Sequence, residues 1–334
     1  MIWFKKPQLG QKGISRFLQS PFNVGLIRHF PKFATRAYIH SLGRLFFSYN
    51  SQLTERIDRH LSIATETAKL EATPDTLNQT LGGILSHYYE KLFIAFFNFK
   101  KVCHYLKERV VMERGELLDQ ALARGRGAIL VTGHYGAVEF LPLTLALKGY
   151  PVTMLLRFKT QKLKESLMRR AKGINIELVD VEDDPRVVFT ALKALKANRI
   201  LITECDEFEC WCRDKRRQVE FLGVPMLQDR SLEMLQRRAK APALLGLVQR
   251  QAHERYKLRL HALESAPAKS ETPSLAQQAL AILEDYIRIA PHQWYQWKEA
   301  DFLPANAIPR HQRPVREPDP SRDIPFADPI PHSL

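Results

Sequence analysis

The chain has 334 residues, 45% hydrophobic and 26% charged, which is the balance of a folded protein and excludes a disordered one. Lys and Arg number 50 against 36 Asp and Glu, giving +14, so polyanionic partners are favoured: nucleic acid, anionic lipid headgroups or an acidic carrier protein. Four cysteines are too few for a disulfide scaffold and indicate a reducing compartment.

In chain order, Met1 to Pro7 lacks the apolar core and small-residue cleavage site of a secretory signal. No apolar run reaches the about 18 residues of a membrane-spanning helix. Residues 1–110 read as a helical, basic, membrane-associating region, with breaks near residues 20, 50 and 73. Phe22 to Tyr49 interleaves Leu26, Ile27, Phe30, Phe33, Ile39, Leu45 and Phe46 with Arg28, Lys32, Arg36 and Arg44, and contains no acid. That pattern suits a helix lying in a lipid interface, and it also suits an amphipathic helix packed on a core. Tyr88 to Tyr105, rich in Phe and ending on Lys100-Lys101, is a second helix of the same kind.

From residue 111 to 303 apolar runs of strand length alternate with helical patterns. Strands are expected at 127–132, 151–156, 175–179, 199–203, 243–249 and 256–261. Helices are expected at 138–149, 161–172, 185–197, 228–240 and 274–290. This alternation predicts an α/β fold with a mostly parallel central sheet flanked by helices, its last two strands forming an antiparallel hairpin. Cys205, Cys210 and Cys212 are closely spaced but lack a second pair or a His at ligand distance, so they read as ordinary thiols near a strand end. Residues 304–334 are Pro-rich and aperiodic, the pattern of a disordered tail.

Ligands of an open α/β sheet bind beyond the carboxyl ends of its strands. Two strands end in chemically capable residues: Thr132-Gly133-His134-Tyr135-Gly136-Ala137-Val138-Glu139, and Thr203-Glu204-Cys205-Asp206-Glu207. Pro142 belongs in the first turn of a helix, which sets the helix start near Val138 and leaves His134 in the turn before it. Glu139 can then reach back to hold one imidazole nitrogen while the other takes a proton. The turn's backbone N–H groups would serve a developing oxyanion, and Gly133 and Gly136 would let a bulky substrate approach. The H-x4-E spacing alone is common; a turn histidine and a helix-start glutamate explain it equally well.

The run from Gly125 to Glu139 resembles the signature of the bacterial lipid A biosynthesis acyltransferase family, within the H-x4-D/E glycerolipid acyltransferase superfamily. Arg157, Arg169 or Arg170 with Gly173, Asp206, Val219-Glu220-Phe221-Leu222-Gly223 and Pro291-His292-Gln293-Trp294 resemble further family segments in the family's order, over about residues 110–298. Glu207, Glu220 and Leu222 depart from that pattern, as does the Phe208–Arg217 insertion, and these departures bear on the acceptor.

The resemblance implies a glycerolipid-acyltransferase-like fold over 111–303 and an O-acyltransferase, with His134 as general base and Glu139 orienting it. It implies substrate-binding roles for Arg157, Asp206, Arg170, Phe221 and Gly223, with no metal and no organic cofactor. For Arg157 a surface site, for Asp206 a helix cap, and for Phe221 and Gly223 plain packing are the alternatives. Trp294 and Trp297 fit either an interfacial anchor or a core. The helix carrying Lys159, Lys162, Lys164, Arg169, Arg170 and Lys172 fits a carrier- or lipid-binding face or a solvated one. The implied donor is an acyl thioester, acyl carrier protein or coenzyme A, and the implied acceptor is a lipid A precursor or related glycolipid, with another polar lipid or a lysophospholipid as the alternative. The implied place is the cytoplasmic face of the inner membrane, peripheral or interfacial. A nucleic-acid binder is not expected, because no recognition helix, aromatic RNA-binding strand or zinc module is visible.

Overall fold

The computed structural model describes residues 18–158, 160–208, 212–264 and 273–303. Residues 1–17, Lys159, Cys210 and the Pro-rich 304–334 segment lie outside the described residues, and so do the expectations attached to them.

The first described elements are five helices: α1 (Pro21–His29), α2 (Lys32–Tyr49), α3 (Ser51–Ala68), α4 (Thr76–Phe96) and α5 (Phe99–Arg109). The breaks expected near 20 and 50 are helix caps. The Ser20 hydroxyl accepts from the Asn23 N–H and the Asn50 side chain from the Leu53 N–H, satisfying amides a helix start leaves bare. α4 is the central member, its second half buried on nearly every side from Leu85 to Phe96, with His87 and Glu90 carried inside among its apolar residues.

The chain then runs β1 (Val110–Glu113), α6 (Glu116–Leu122), β2 (Ala128–Thr132), α7 (Leu141–Leu147), β3 (Val152–Leu156), α8 (Gln161–Ala171), β4 (Ile176–Asp180), α9 (Val187–Lys196) and β5 (Ile200–Glu204). It continues through β6 (Arg213–Phe221), β7 (Val224–Asp229), α10 (Ser231–Ala239), β8 (Ala243–Gln251), β9 (Arg255–Leu263) and α11 (Leu275–Ile289). The seven-stranded sheet has the order β1-β9-β8-β2-β5-β3-β4, parallel at every pairing except the β8–β9 hairpin. The expected α/β architecture, mostly parallel sheet and final hairpin are all present. β2 sits at the centre with all five side chains buried, the mark of a strand covered on both faces.

Three strands, β1, β6 and β7, escape the hydrophobic pattern. β1 is a four-residue edge strand, and β6 is too charged to show alternation. β6 and β7 form a separate two-stranded hairpin turned by Leu222 (φ 49°) and Gly223 (φ 75°), the two positive dihedrals of a tight primed turn. A Cβ on Gly223 would lie 2.6 Å from the Thr67 carbonyl oxygen, so the turn is seated against α3. One apolar core runs from Leu18 through Ile39, Ile57 and Ile84 to Leu130, Leu245 and Leu303, so the early helices share it with the sheet. Among the described residues no helix is long and apolar enough to cross a membrane.

Candidate active site

Parallel pairing of β2 and β5 places Thr132 opposite Glu204, so both chemically capable segments leave the sheet side by side. His134 and Asp206 meet there. Asp206, 1% exposed, accepts three hydrogen bonds: its Oδ2 from the His134 backbone N–H and the Trp294 indole N–H, both 2.8 Å, and its Oδ1 from His134 Nδ1 at 3.0 Å. A carboxylate fixed in this way sets both the plane and the tautomer of the ring, leaving Nε2 as the reactive nitrogen. Glu204 Oε1 lies 3.5 Å from Nε2, and Gln296 Nε2 lies 3.1 Å from Nδ1.

Burial disfavours a charged imidazole, but the carboxylates of Glu204, Asp206 and Glu207 outweigh it and push His134 up to about 10. Burial raises Glu204 to about 8, against the pull of His134 and with the push of neighbouring carboxylates. The resting site therefore favours a charged ring, and raising the pH yields the neutral base.

Glu139 occupies a single 3₁₀ turn, Val138–Phe140, that leads into α7, with Pro142 in the helix's first turn as expected. Its carboxylate does not reach His134. It meets Lys91 Nζ at 2.9 Å and lies 3.4 Å from His87 Nε2, both on α4. The correction has a physical reason: the Nδ1 side of the ring is taken by Asp206, and α4 covers the 3₁₀ turn. His87 is wholly buried and stacks on Tyr295 at 3.8 Å. Burial, then Lys91 and His134, holds its pKa well below the usual histidine range, so it is a neutral ring.

The amides of residues 134–137 are taken up within the fold. His134 N–H goes to Asp206, Tyr135 N–H to the Gly133 carbonyl, Gly136 N–H to Gln293 and Ala137 N–H to Val248. The glycines serve the protein's own packing. A Cβ on Gly136 (φ 58°) would lie 1.9 Å from the Val248 carbonyl oxygen, and one on Gly133 would lie 2.8 Å from Leu283. Behind the turn, Arg250 donates to the Gly136 carbonyl at 2.6 Å while buried Glu90 accepts from it at 2.7 and 2.8 Å.

An apolar chamber opens beside Glu204, whose carboxylate lies 3.5 Å from His134 Nε2. Ile94, Val138, Leu143, Met154, Leu156 and Leu178 are among its lining residues, and Glu139 and Glu204 are its carboxylates. Arg170 also lines it, but its guanidinium donates to the Ile94 carbonyl at 2.6 Å and to the Phe97 carbonyl, capping α4. Arg157 pairs with Glu182 at 3.0 Å, beyond β3. Phe221 is fully buried, edge-on to Trp294 at 5.7 Å, so it and Gly223 lie beneath the site and not in the chamber. Trp294 and Trp297 are both core residues, 0% exposed. On α8, Lys164 is tied to Asp180 at 2.8 Å and to Asp183, which removes one charge from the expected basic face. On α2, Lys32 and Arg36 both pair with Glu254. Among the described residues the cysteines join no ligand cluster; His134, Glu204 and Glu207 are the group whose ligand atoms, within 4.8 Å of one another, could gather round a cation.

Gln296, His87 and Lys91 were not singled out by sequence reasoning, and Glu204 and Trp294 were noted without a role at His134. Glu204 ends a predicted strand beside Asp206, which was a usable signal. His87 and Lys91 lie one helical turn apart in a segment whose phenylalanines dominate its pattern, and nothing local marks them.

A central parallel sheet with a carboxylate-held histidine, and an apolar chamber lined by that histidine's neighbour Glu204, is the framework of an enzyme acting on a substrate with a long apolar part. The chain belongs to the bacterial lipid A biosynthesis acyltransferase family, whose model matches residues 21–299. It is thus an acyltransferase, and the family's reaction is acyl transfer to a lipid A-type acceptor. No curated protein matches the chain.

Proposed function

We propose that this protein moves a fatty acyl group from the thioester of acyl carrier protein to a hydroxyl of a lipid A precursor, with His134 as general base. The observation that carries this reading is the position of His134, held by buried Asp206 on one side and, on the other, 3.5 Å from Glu204, which lines an apolar chamber. The acyl tail enters the chamber and its carbonyl stays at the end marked by Glu139 and Glu204. The acceptor hydroxyl gives its proton to Nε2 as its oxygen bonds to the carbonyl carbon. The resulting tetrahedral oxyanion collapses, the C–S bond breaks, and the imidazolium returns the proton to the thiolate. Asp206 keeps the ring oriented through both transfers. No metal or organic cofactor enters, since the thioester supplies the activation.

The excess of 50 Lys and Arg over 36 acids suits an acidic carrier. From α1 to the start of α2, Phe22, Phe30 and Phe33 are 71%, 48% and 72% exposed, and Arg28 and His29 on α1 are exposed as well. Aromatic rings beside cations favour a lipid interface, so the protein works on the surface of the inner membrane, at its cytoplasmic face.

The test is acyl transfer from radiolabelled acyl carrier protein into polar lipids. Wild type labels one lipid A-type species, and His134→Ala loses activity by about 100-fold or more. Labelling by His134→Ala equal to wild type would sink the base assignment, and a labelled phospholipid would sink the acceptor.

A further inference from the structure

The proposed reaction generates an oxyanion in a place crowded with negative charge. The thioester carbonyl lies by Glu139 and Glu204, both of which line the chamber, with Asp206 on the far side of the histidine. Two adjacent carboxylates repel an oxyanion unless a donor or cation offsets them. The amides of residues 134–137 are spent within the fold. The Arg170 head is spent on two α4 carbonyls, and the Arg157 side chain is paired with Glu182. Lys298 is engaged by Glu299 at 2.6 Å and lies over the Tyr295 ring.

Lys91 is different. Its ammonium bonds Glu139 at 2.9 Å, and its side chain is 21% exposed beside the chamber carboxylates. An ammonium carries three N–H donors, and Glu139 occupies one of them. His87, one turn earlier on the same face of α4, is a neutral ring stacked on Tyr295, and Tyr295 stacks at 6.0 Å with His134. α4 thus delivers a cation to the same small volume into which β2 delivers the base.

We propose that Lys91 is a catalytic residue whose ammonium hydrogen-bonds the oxyanion formed at the thioester carbonyl, with Glu139 holding it in place. The inference rests on the acyl-transfer reading above. Electron balance is simple: attack moves the carbonyl π pair onto oxygen, Lys91 donates a hydrogen bond to it without giving up its proton, and collapse restores the carbonyl as the thiolate leaves. In this arrangement Glu139 acts through Lys91, as a positioning residue, and not through His134.

The experiment measures two affinities in wild type, Lys91→Met and Lys91→Arg, each checked for native folding by thermal denaturation. One ligand is a long-chain acyl-pantetheine thioether, which mimics the ground state. The other carries an anionic phosphonate in place of the thioester carbonyl and mimics the oxyanion. Lys91→Met should lose about 100-fold or more in kcat and in phosphonate affinity, the loss typical of one oxyanion donor, with thioether affinity changed less than threefold. Lys91→Arg should recover part of both. Equal loss of both ligands, or no loss of either, overturns the Lys91 assignment. If wild type binds neither ligand and transfers no acyl group, the acyl-transfer reading itself fails, an outcome distinct from a normal wild type and an unaffected variant.

Discussion

Asp206 and Glu204 flank one imidazole and do opposite things to it. Asp206 holds Nδ1 and is itself held by two further N–H donors, so its removal disorients the base. Asp206→Asn should lower kcat by about 10²- to 10⁴-fold with KM for the acyl donor little changed, as measured by steady-state kinetics. Glu204 sits on the reactive side and raises the ring's affinity for a proton it must first lose. Activity should therefore climb with pH beyond the ordinary histidine range, since His134 is pushed up to about 10. In Glu204→Gln a carboxylate that favours the imidazolium is gone, His134 falls, and the acid limb of the kcat/KM profile should move to lower pH. A limb that stays put or moves higher would show that Glu204 does not control the base.

Between single residues and the whole chain, the turn after β2 is the element on which the rest depends. It is braced from behind by the buried Glu90–Arg250 pair, whose guanidinium also grips the Gly136 carbonyl. Glu90→Ala should cost about 3–5 kcal/mol in denaturant unfolding, because it leaves Arg250 buried without its counter-ion. Gly136→Ala forces a Cβ against Val248 from a left-handed backbone, and should cost on the order of 3 kcal/mol. The sheet was legible in the sequence because buried parallel strands such as Ala128–Thr132 are continuous apolar runs bounded by glycine and charge. β6 was not, since Arg213–Phe221 pairs with β7 outside the main sheet and needs no apolar alternation. His134 was legible from its place at a strand end. Its true partner was harder to see, because Glu139 is near in sequence while Asp206 is near only once β2 and β5 pair. Lys91 and Trp294 come from elements 43 residues before and 160 after the histidine, and no local pattern connects them.

At the scale of the molecule, the stretch from α1 to the start of α2 presents the exposed rings of Phe22, Phe30 and Phe33 with exposed Arg28 and His29. Replacing all three with Ser should weaken binding to anionic vesicles by at least about 100-fold, taking about 1.5–3 kcal/mol per buried ring, while acyl transfer to a detergent-solubilised acceptor persists. Unchanged sedimentation with vesicles would place the membrane contact elsewhere. The segment Pro291–Glu299 has a further consequence, in time. The Trp294 indole that completes Asp206 lies 88 residues after it, and Tyr295 N–H closes onto the His134 carbonyl. A ribosome has therefore made every strand of the sheet before the last donor to the buried carboxylate emerges. A nascent chain stalled before Pro291 should already carry the chamber and the histidine yet turn thioester over far more slowly, so chemical competence comes after the sheet is made.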